Sequence, residues 1–429
     1  MTVDWLERDR ATCWHPYTQH GIDTTLLPVV GAQGAWLELA DGRKLLDGIS
    51  SWWSILHGHG DPRITQAIAH QAQELDHVLF AGCTHKPAVD VAETLIELAR
   101  PLASDGVPPL TRVFYSDNGS TAIEVALKAA YQTWLRRGEG QRKLFIALEG
   151  SYHGDTVGAM SVSEPAPFFQ EFGPLLFEVK RVRPEAEALE TMLKEHAGQV
   201  AGLIVEPLVQ GAAGMVMYPA QFLKDARRLC DEHGAFLIAD EVFTGFGRTG
   251  TVFACEQAGI RPDLLCLAKG LTGGVLPLAA TMATEEIFEA FLSEDRTKTF
   301  FHGHTFTANP IACAAAVASL KILKEERTPS KLTHIGNHII EALTPLRDED
   351  YVVDLRQLGG IVALELGSQD RGYLSTIGDR YRSAIEKHNV LLRPSGNVLY
   401  AVPPACTSPE EAQHIGQVMR DIATEVGRS

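Results

Sequence analysis

The sequence predicts an α/β fold, a large and mainly parallel sheet flanked by helices, followed by a smaller α+β unit. Three observations carry this expectation. From residue 112 to 283 short apolar runs alternate with longer stretches of helical periodicity, the βαβ pattern. The runs 144–148, 201–205, 235–239 and 264–268 are apolar throughout, as strands buried on both faces are. After residue 309 the order changes to an alanine-rich helix, a hairpin and further short strands.

A chain of 429 residues is long enough for two domains. The expected division is an N-terminal segment 1–55 that joins the smaller unit, a large domain over 56–325, and a C-terminal small domain over 326–429. A formal net charge of −16 argues against a general nucleic-acid or anionic-membrane binder, because both need basic patches. Any anionic ligand must therefore be held by a local device. The seven cysteines are scattered without a C-x-x-C pair and read as reduced thiols of a cytoplasmic protein. The first ten residues are too charged for a signal peptide, and no apolar run is long enough to span a bilayer.

In chain order, residues 34–47 read as a hairpin around the turn Asp41-Gly42. Asp61 and Pro62 open a helix whose face would be Ile64, Ile68, Ala72 and Leu75. A second helix covers about 88–99. The strand at 112–115 runs into Ser-Asp-Asn-Gly-Ser at 116–120, and then into a helix with Ile123, Ala126, Leu127, Ala130 and Trp134 on one face. Strand, tight glycine turn and helix is the arrangement that aims free N–H groups at an anion, although a plain helix cap reads the same way. The acidic run 185–190 fits a solvated helix face. Helix 221–233 ends at Gly234, Asn309 and Pro310 open the long helix, and residues 352–366 pair as a hairpin around Gly359-Gly360. Residues 390–393 and 398–402 add strands, and Ser408 starts a final helix with a capping box.

The stretch with most chemistry is Asp-Glu-Val-Phe-Thr-Gly-Phe-Gly-Arg-Thr-Gly at 240–250, followed by Lys269. Asp240 and Lys269 each fall at the C-terminal end of an expected strand, where open α/β sheets place their ligands. A carboxylate and an amine so placed suit pyridoxal phosphate: the lysine for the Schiff base, the carboxylate to keep the pyridine nitrogen protonated. Spacing alone would favour a loop cap and a solvated lysine instead. Tyr152, at the end of strand 144–148, can cover a planar cofactor or be a rim residue. The two His-Gly-His triplets, at 57–59 and 302–304, lack neighbouring ligands at metal spacing.

The wording around Asp240, together with Cys-Leu-Ala-Lys-Gly-Leu-Thr-Gly-Gly at 266–274, resembles the class III pyridoxal-phosphate aminotransferases over most of the chain. That resemblance implies fold type I, with Lys269, Asp240 and Tyr152 catalytic. Gly119, Ser120 and Thr305 join them in holding the cofactor. Thr305 would reach the phosphate of a neighbouring subunit's cofactor, which implies a homodimer with the site at its interface. Three stretches narrow the resemblance to the branch that converts 8-amino-7-oxononanoate to 7,8-diaminononanoate in biotin biosynthesis. They are Trp-His-Pro-Tyr-Thr at 14–18, Ser-Ser-Trp-Trp at 50–53, and Phe-His-Gly-His-Thr-Phe at 301–306. By that resemblance Tyr17, Trp52, Trp53 and Tyr400 line the substrate pocket and Arg393 pairs with the substrate carboxylate. His304 stands where many of these enzymes carry proline, and this resembles a second branch, some members of which use lysine as amino donor. The implied donor is therefore S-adenosylmethionine or lysine. The rival readings are another class III activity, on ornithine, 4-aminobutyrate or a broad set of amines, and a non-catalytic cofactor-binding protein.

Overall fold

The computed structural model describes residues 4–22, 25–102, 106–368 and 372–428. Residues 1–3 and 429, the outer ends of the two expected terminal regions, lie outside the described residues. The centre is a seven-stranded sheet in the order Leu110–Ser116, Ala279–Thr284, Leu264–Leu267, Phe236–Asp240, Val200–Val205, Leu144–Leu148, Val179–Val182. It is parallel except for Ala279–Thr284, which runs antiparallel to both neighbours. The three inner strands beginning at 200, 236 and 264 are buried at every position, which is why their sequences are apolar without alternation.

Helix Gly119–Arg136 covers one face of this sheet and buries all five of the expected apolar residues. Its start is fixed by Asn118, whose side chain accepts from the Thr121 N–H while the Thr121 hydroxyl accepts from the Asn118 N–H. Helix Ala220–His233 ends at Gly234, whose φ of 63° is the left-handed cap position that favours glycine. Helix Pro62–Glu74 starts as expected at Asp61, but its inner face differs. Gln71 is buried and Ala72 is exposed, because Gln71 bonds the Leu75 carbonyl at the helix end and stays on the inner side.

Among the described residues three smaller sheets complete the architecture; one is the short antiparallel pair Val209–Gln210 and Val216–Met217, and the other two are larger. The hairpin Val352–Leu358 and Ile361–Leu366 pairs with Val398–Ala401, all antiparallel. The N-terminal strands Val29–Gln33, Trp36–Leu39 and Lys44–Asp47 form the other sheet, joined in parallel by Val390–Leu391. The expected strand 390–393 is thus shorter than read and belongs with the N-terminal segment instead of the hairpin. Its partner lies more than 340 residues away in sequence, beyond the reach of local pattern. The final helix Pro409–Gly427 has its capping box, Ser408 with Glu411. Among the described residues, no helix is long and apolar enough to cross a membrane.

Candidate active site

Strands Phe236–Asp240 and Leu264–Leu267 are parallel neighbours, with Asp240 opposite Cys266. Asp240 and Lys269 therefore open into one space above the C-terminal edge of the sheet. That space is a cavity of about 440 Å³ lined by Gly119, Ser120, Tyr152, Asp240 and Lys269, among others.

At the anionic end, the N–H groups of Gly119 and Ser120 begin a long helix and donate to no described residue. A Cβ at position 119 would stand 2.7 Å from Val242 Cγ1, so only glycine lets the turn lie this close to the sheet edge. These free donors, with the positive end of the helix behind them, fit a phosphate. At the other end Asp240 is buried and accepts from the Val242 N–H at 3.1 Å. Its Oδ2 lies 2.7 Å from Nδ1 of His153, also buried, whose Nε2 has no partner among the described residues. One carboxylate, oriented by a histidine and lining the cavity, fits a protonated pyridine nitrogen. The residues present thus fit pyridoxal phosphate at both ends.

Lys269 has a left-handed φ of 46°, and its Nζ lies 5.0 Å from the centre of the Trp53 ring and 5.7 Å from that of Phe243. Burial against these rings holds its amine below the ordinary lysine range; Asp240 and Glu206 oppose the shift and Arg248 adds to it. Glu206 ends strand Val200–Val205 and accepts from the N–H groups of Tyr152, at 2.9 Å, and Gly211, at 3.0 Å. Burial pushes its carboxyl up to about 7.

Tyr152 and Tyr17 form a trio with Asp155. Asp155 Oδ1 accepts from the Tyr17 hydroxyl at 2.6 Å and from the Tyr152 hydroxyl at 3.0 Å. Burial pushes both phenols above their ordinary range; Asp155 adds to the shift in both, while the Tyr17–Tyr152 contact raises Tyr152 and lowers Tyr17. The trio marks the boundary with a second cavity, also about 440 Å³, which shares Trp53, Tyr152 and Lys269 with the first. Its wall is aromatic: Tyr17, Trp52, Phe168, Tyr373 and Tyr400. Tyr400 accepts from Trp53 Nε1 at 3.2 Å, and burial pushes its phenol up to about 12. In the same wall the Arg393 guanidinium lies 4.8 Å from the centre of the Trp52 ring, with no acidic partner among the described residues.

The backbone behind this wall is unusual. Ser50, Ser51, Trp52 and Trp53 all have positive φ, from 46° to 85°. A left-handed residue other than glycine costs about 1–2 kcal/mol, so this turn persists only because its surroundings hold it. Trp53 is buried, whereas Trp52 remains 39% exposed at the cavity mouth.

The structure thus brings together Lys269, Asp240, Tyr152, Gly119, Ser120, Tyr17, Trp52, Trp53, Arg393 and Tyr400. Thr305 is apart from them, on an exposed turn that lines neither cavity. Sequence reasoning missed His153, Glu206 and Asp155 as site residues. All three follow strand ends, and that position was the available signal.

The aminotransferase class-III family model matches residues 17–423, so the chain belongs to the class III aminotransferase family. Pyridoxal phosphate is this family's cofactor, and the donor set described above suits it. More particularly, the chain is 47% identical to the adenosylmethionine-8-amino-7-oxononanoate aminotransferase of Synechococcus elongatus, over 96% of this chain and 98% of the relative. Among solved structures, the enzyme of that name from Methanocaldococcus jannaschii superposes with a TM-score of 0.92 at 35% identity, covering 98% of each chain. An amine transaminase from an uncultivated Pseudomonas species, in its PLP-bound form, gives 0.89 at 31% identity, over 97% of this chain and 99% of that one.

Proposed function

We propose that this chain transfers an amino group to the ketone of 8-amino-7-oxononanoate, giving 7,8-diaminononanoate for biotin biosynthesis, with S-adenosylmethionine as donor. The observation that carries the reading is Arg393. It is a guanidinium without an acidic partner among the described residues, stacked on Trp52, in an aromatic cavity that also contains Lys269. An acceptor with a ketone near one end, an aliphatic chain and a terminal carboxylate suits such a cavity. Arg393 takes the carboxylate in bidentate fashion, and Trp52, Trp53 and Tyr400 cover the methylenes. Asp155, already accepting from two tyrosine hydroxyls, meets the acceptor's own ammonium group.

Pyridoxal phosphate, when bound, supplies a carbonyl that captures amines and a ring that draws electrons from the bonds at the attached carbon. Gly119 and Ser120 would hold its phosphate, Asp240 would keep its ring nitrogen protonated, and Tyr152 would cover its face. Lys269, its amine held below the ordinary lysine range by burial, takes the proton from the donor's Cα and later delivers one to C7 of the acceptor. The aromatic wall excludes water from that transfer.

The same reading includes a cytoplasmic homodimer and the division at about residues 55 and 325. Supporting the dimer is an exposed apolar set that includes Phe301 and Phe306, on either side of Thr305, with Trp14 at 93% exposure. A dimer would cover such side chains and carry Thr305 to the partner's phosphate. The test is to incubate the cofactor-loaded protein with 8-amino-7-oxononanoate and either S-adenosylmethionine or lysine. Mass detection of 7,8-diaminononanoate with S-adenosylmethionine supports the reading, product with lysine alone changes the donor, and no product with either overturns it.

A further inference from the structure

Asp47 lines neither cavity, yet it is fully buried and carries four hydrogen-bond contacts. Its Oδ1 accepts from the N–H groups of Ile49 at 3.3 Å and Ser51 at 2.9 Å. Its Oδ2 accepts from the Ser51 hydroxyl at 2.7 Å and faces His59 Nε2 at 2.9 Å. A buried carboxylate is retained only where it is paired and hydrogen-bonded, and removing it would leave buried N–H groups without an acceptor. All the groups it holds belong to, or flank, the left-handed turn of Ser50 to Trp53. From the other side the Ser50 hydroxyl donates to the Val402 carbonyl at 2.7 Å, and Trp53 N–H closes the turn on the Ile49 carbonyl at 2.8 Å.

The two rings that leave this turn reach both the Lys269 side and the Arg393 side of the pocket. Trp53 packs on Phe243 at 4.6 Å between ring centres, donates to Tyr400 and sits over Lys269. Trp52 meets Tyr17 edge-on at 5.5 Å and supports Arg393. Asp47 also pairs with Leu391 in the parallel register that leads, two residues later, to Arg393. One strand pair therefore sets both the cationic anchor and the aromatic surface beneath it.

We propose that Asp47, held by His59, is a positioning residue for the acceptor: it clamps the left-handed turn through Ser51 and so fixes where Trp52 and Trp53 stand against the substrate chain. This rests on the acceptor reading above and specifies which residues outside the pocket give that pocket its shape. Asp47 meets neither substrate nor cofactor, so its loss acts on acceptor binding and, through Trp53 beside Lys269, on kcat, while Gly119, Ser120 and Asp240 keep the phosphate and pyridine ends as they are.

The test compares Asp47→Ala, Asp47→Asn and Ser51→Ala with the unaltered protein. The readouts are steady-state KM and kcat for the acceptor, cofactor binding by equilibrium dialysis, and the near-ultraviolet circular dichroism of the tryptophans. Asp47→Ala is expected to raise the acceptor KM by roughly 10- to 100-fold, the worth of an aromatic side chain's cover lost from the substrate chain. The tryptophan signal should change while cofactor binding stays as it was. Asp47→Asn, which can still accept from Ser51 but loses the charged contact to His59, should be intermediate. Should Asp47→Ala fail to fold, Ser51→Ala removes a single bond of the clamp and should move KM in the same direction. Folded variants with unchanged KM and unchanged tryptophan signal overturn the proposal. So does a loss in which kcat and cofactor binding fall together, as a general structural defect would produce. If the unaltered protein accepts a different carbonyl compound instead, the acceptor reading fails. The clamp is then judged on that compound's KM and on the tryptophan signal.

Discussion

The two ends of the active site are built in different ways. The cofactor end stands on regular structure: Asp240 and Glu206 end inner strands, Lys269 follows another, and Gly119 opens a long helix. Its donors and acceptors are placed by the sheet itself. The substrate end is assembled from chain segments near residues 17, 52, 168, 373 and 393, and part of it stands on left-handed backbone. The contrast suggests why one fold can keep its chemistry while its substrates vary. Alterations in the loop-built wall change what binds, and alterations at the strand ends change whether anything reacts.

This contrast can be broken in order of expected effect. Lys269→Ala should lower transamination by at least about 10⁴-fold, since it removes both the amine attachment point and the proton carrier. Equilibrium dialysis should still find the cofactor bound through the Gly119–Ser120 end, and full activity in this variant would end the assignment. Asp240→Asn keeps the shape but loses the charge, so kcat should fall by about 10²–10³-fold, an effect read in steady-state kinetics. Arg393→Ala should act on the other end. The acceptor KM should rise about 10- to 100-fold, the worth of hydrogen bonds to a charged group, with kcat little changed. Arg393→Lys should recover only part, because an ammonium cannot match the guanidinium fork.

The smallest effect concerns pH. Glu206 is pushed up to about 7 by burial, from an ordinary value of 4.5. A raised carboxyl means that the folded chain binds more protons than the unfolded one between those values. This group's contribution to stability is therefore lost as pH climbs through that window. Glu206→Gln should remove that share, and melting temperatures of the two proteins across pH 4.5 to 7 should diverge in slope. Parallel curves would mean that Glu206 titrates normally.

The same contrast governed what could be read in advance. The positions of Asp240, Lys269 and Gly119 at strand and helix ends were legible because apolar strands and a glycine turn leave local marks in sequence, while their roles came from the family resemblance. Tyr17, Trp52 and Arg393 were reached only through family resemblance, since nothing in their neighbourhoods marks a pocket. No glycine or asparagine announces the left-handed turn at Ser50 to Trp53, because tertiary bonds to Asp47 and Val402 hold it. The pairing of Val390–Leu391 with Lys44–Asp47 is likewise a long-range contact without local trace. Ala72 and Gln71 exchanged places for a narrower reason: a side-chain bond at a helix end overrode hydrophobic spacing.

The most direct test of the account is the acceptor half-reaction. The protein is loaded with pyridoxamine phosphate, given 8-amino-7-oxononanoate alone, and followed in the visible spectrum. The absorbance of the lysine-bound cofactor should return in one turnover, and Arg393→Ala should require far more acceptor to reach it. No return with this acceptor, but a return with pyruvate or 2-oxoglutarate, would contradict the acceptor reading.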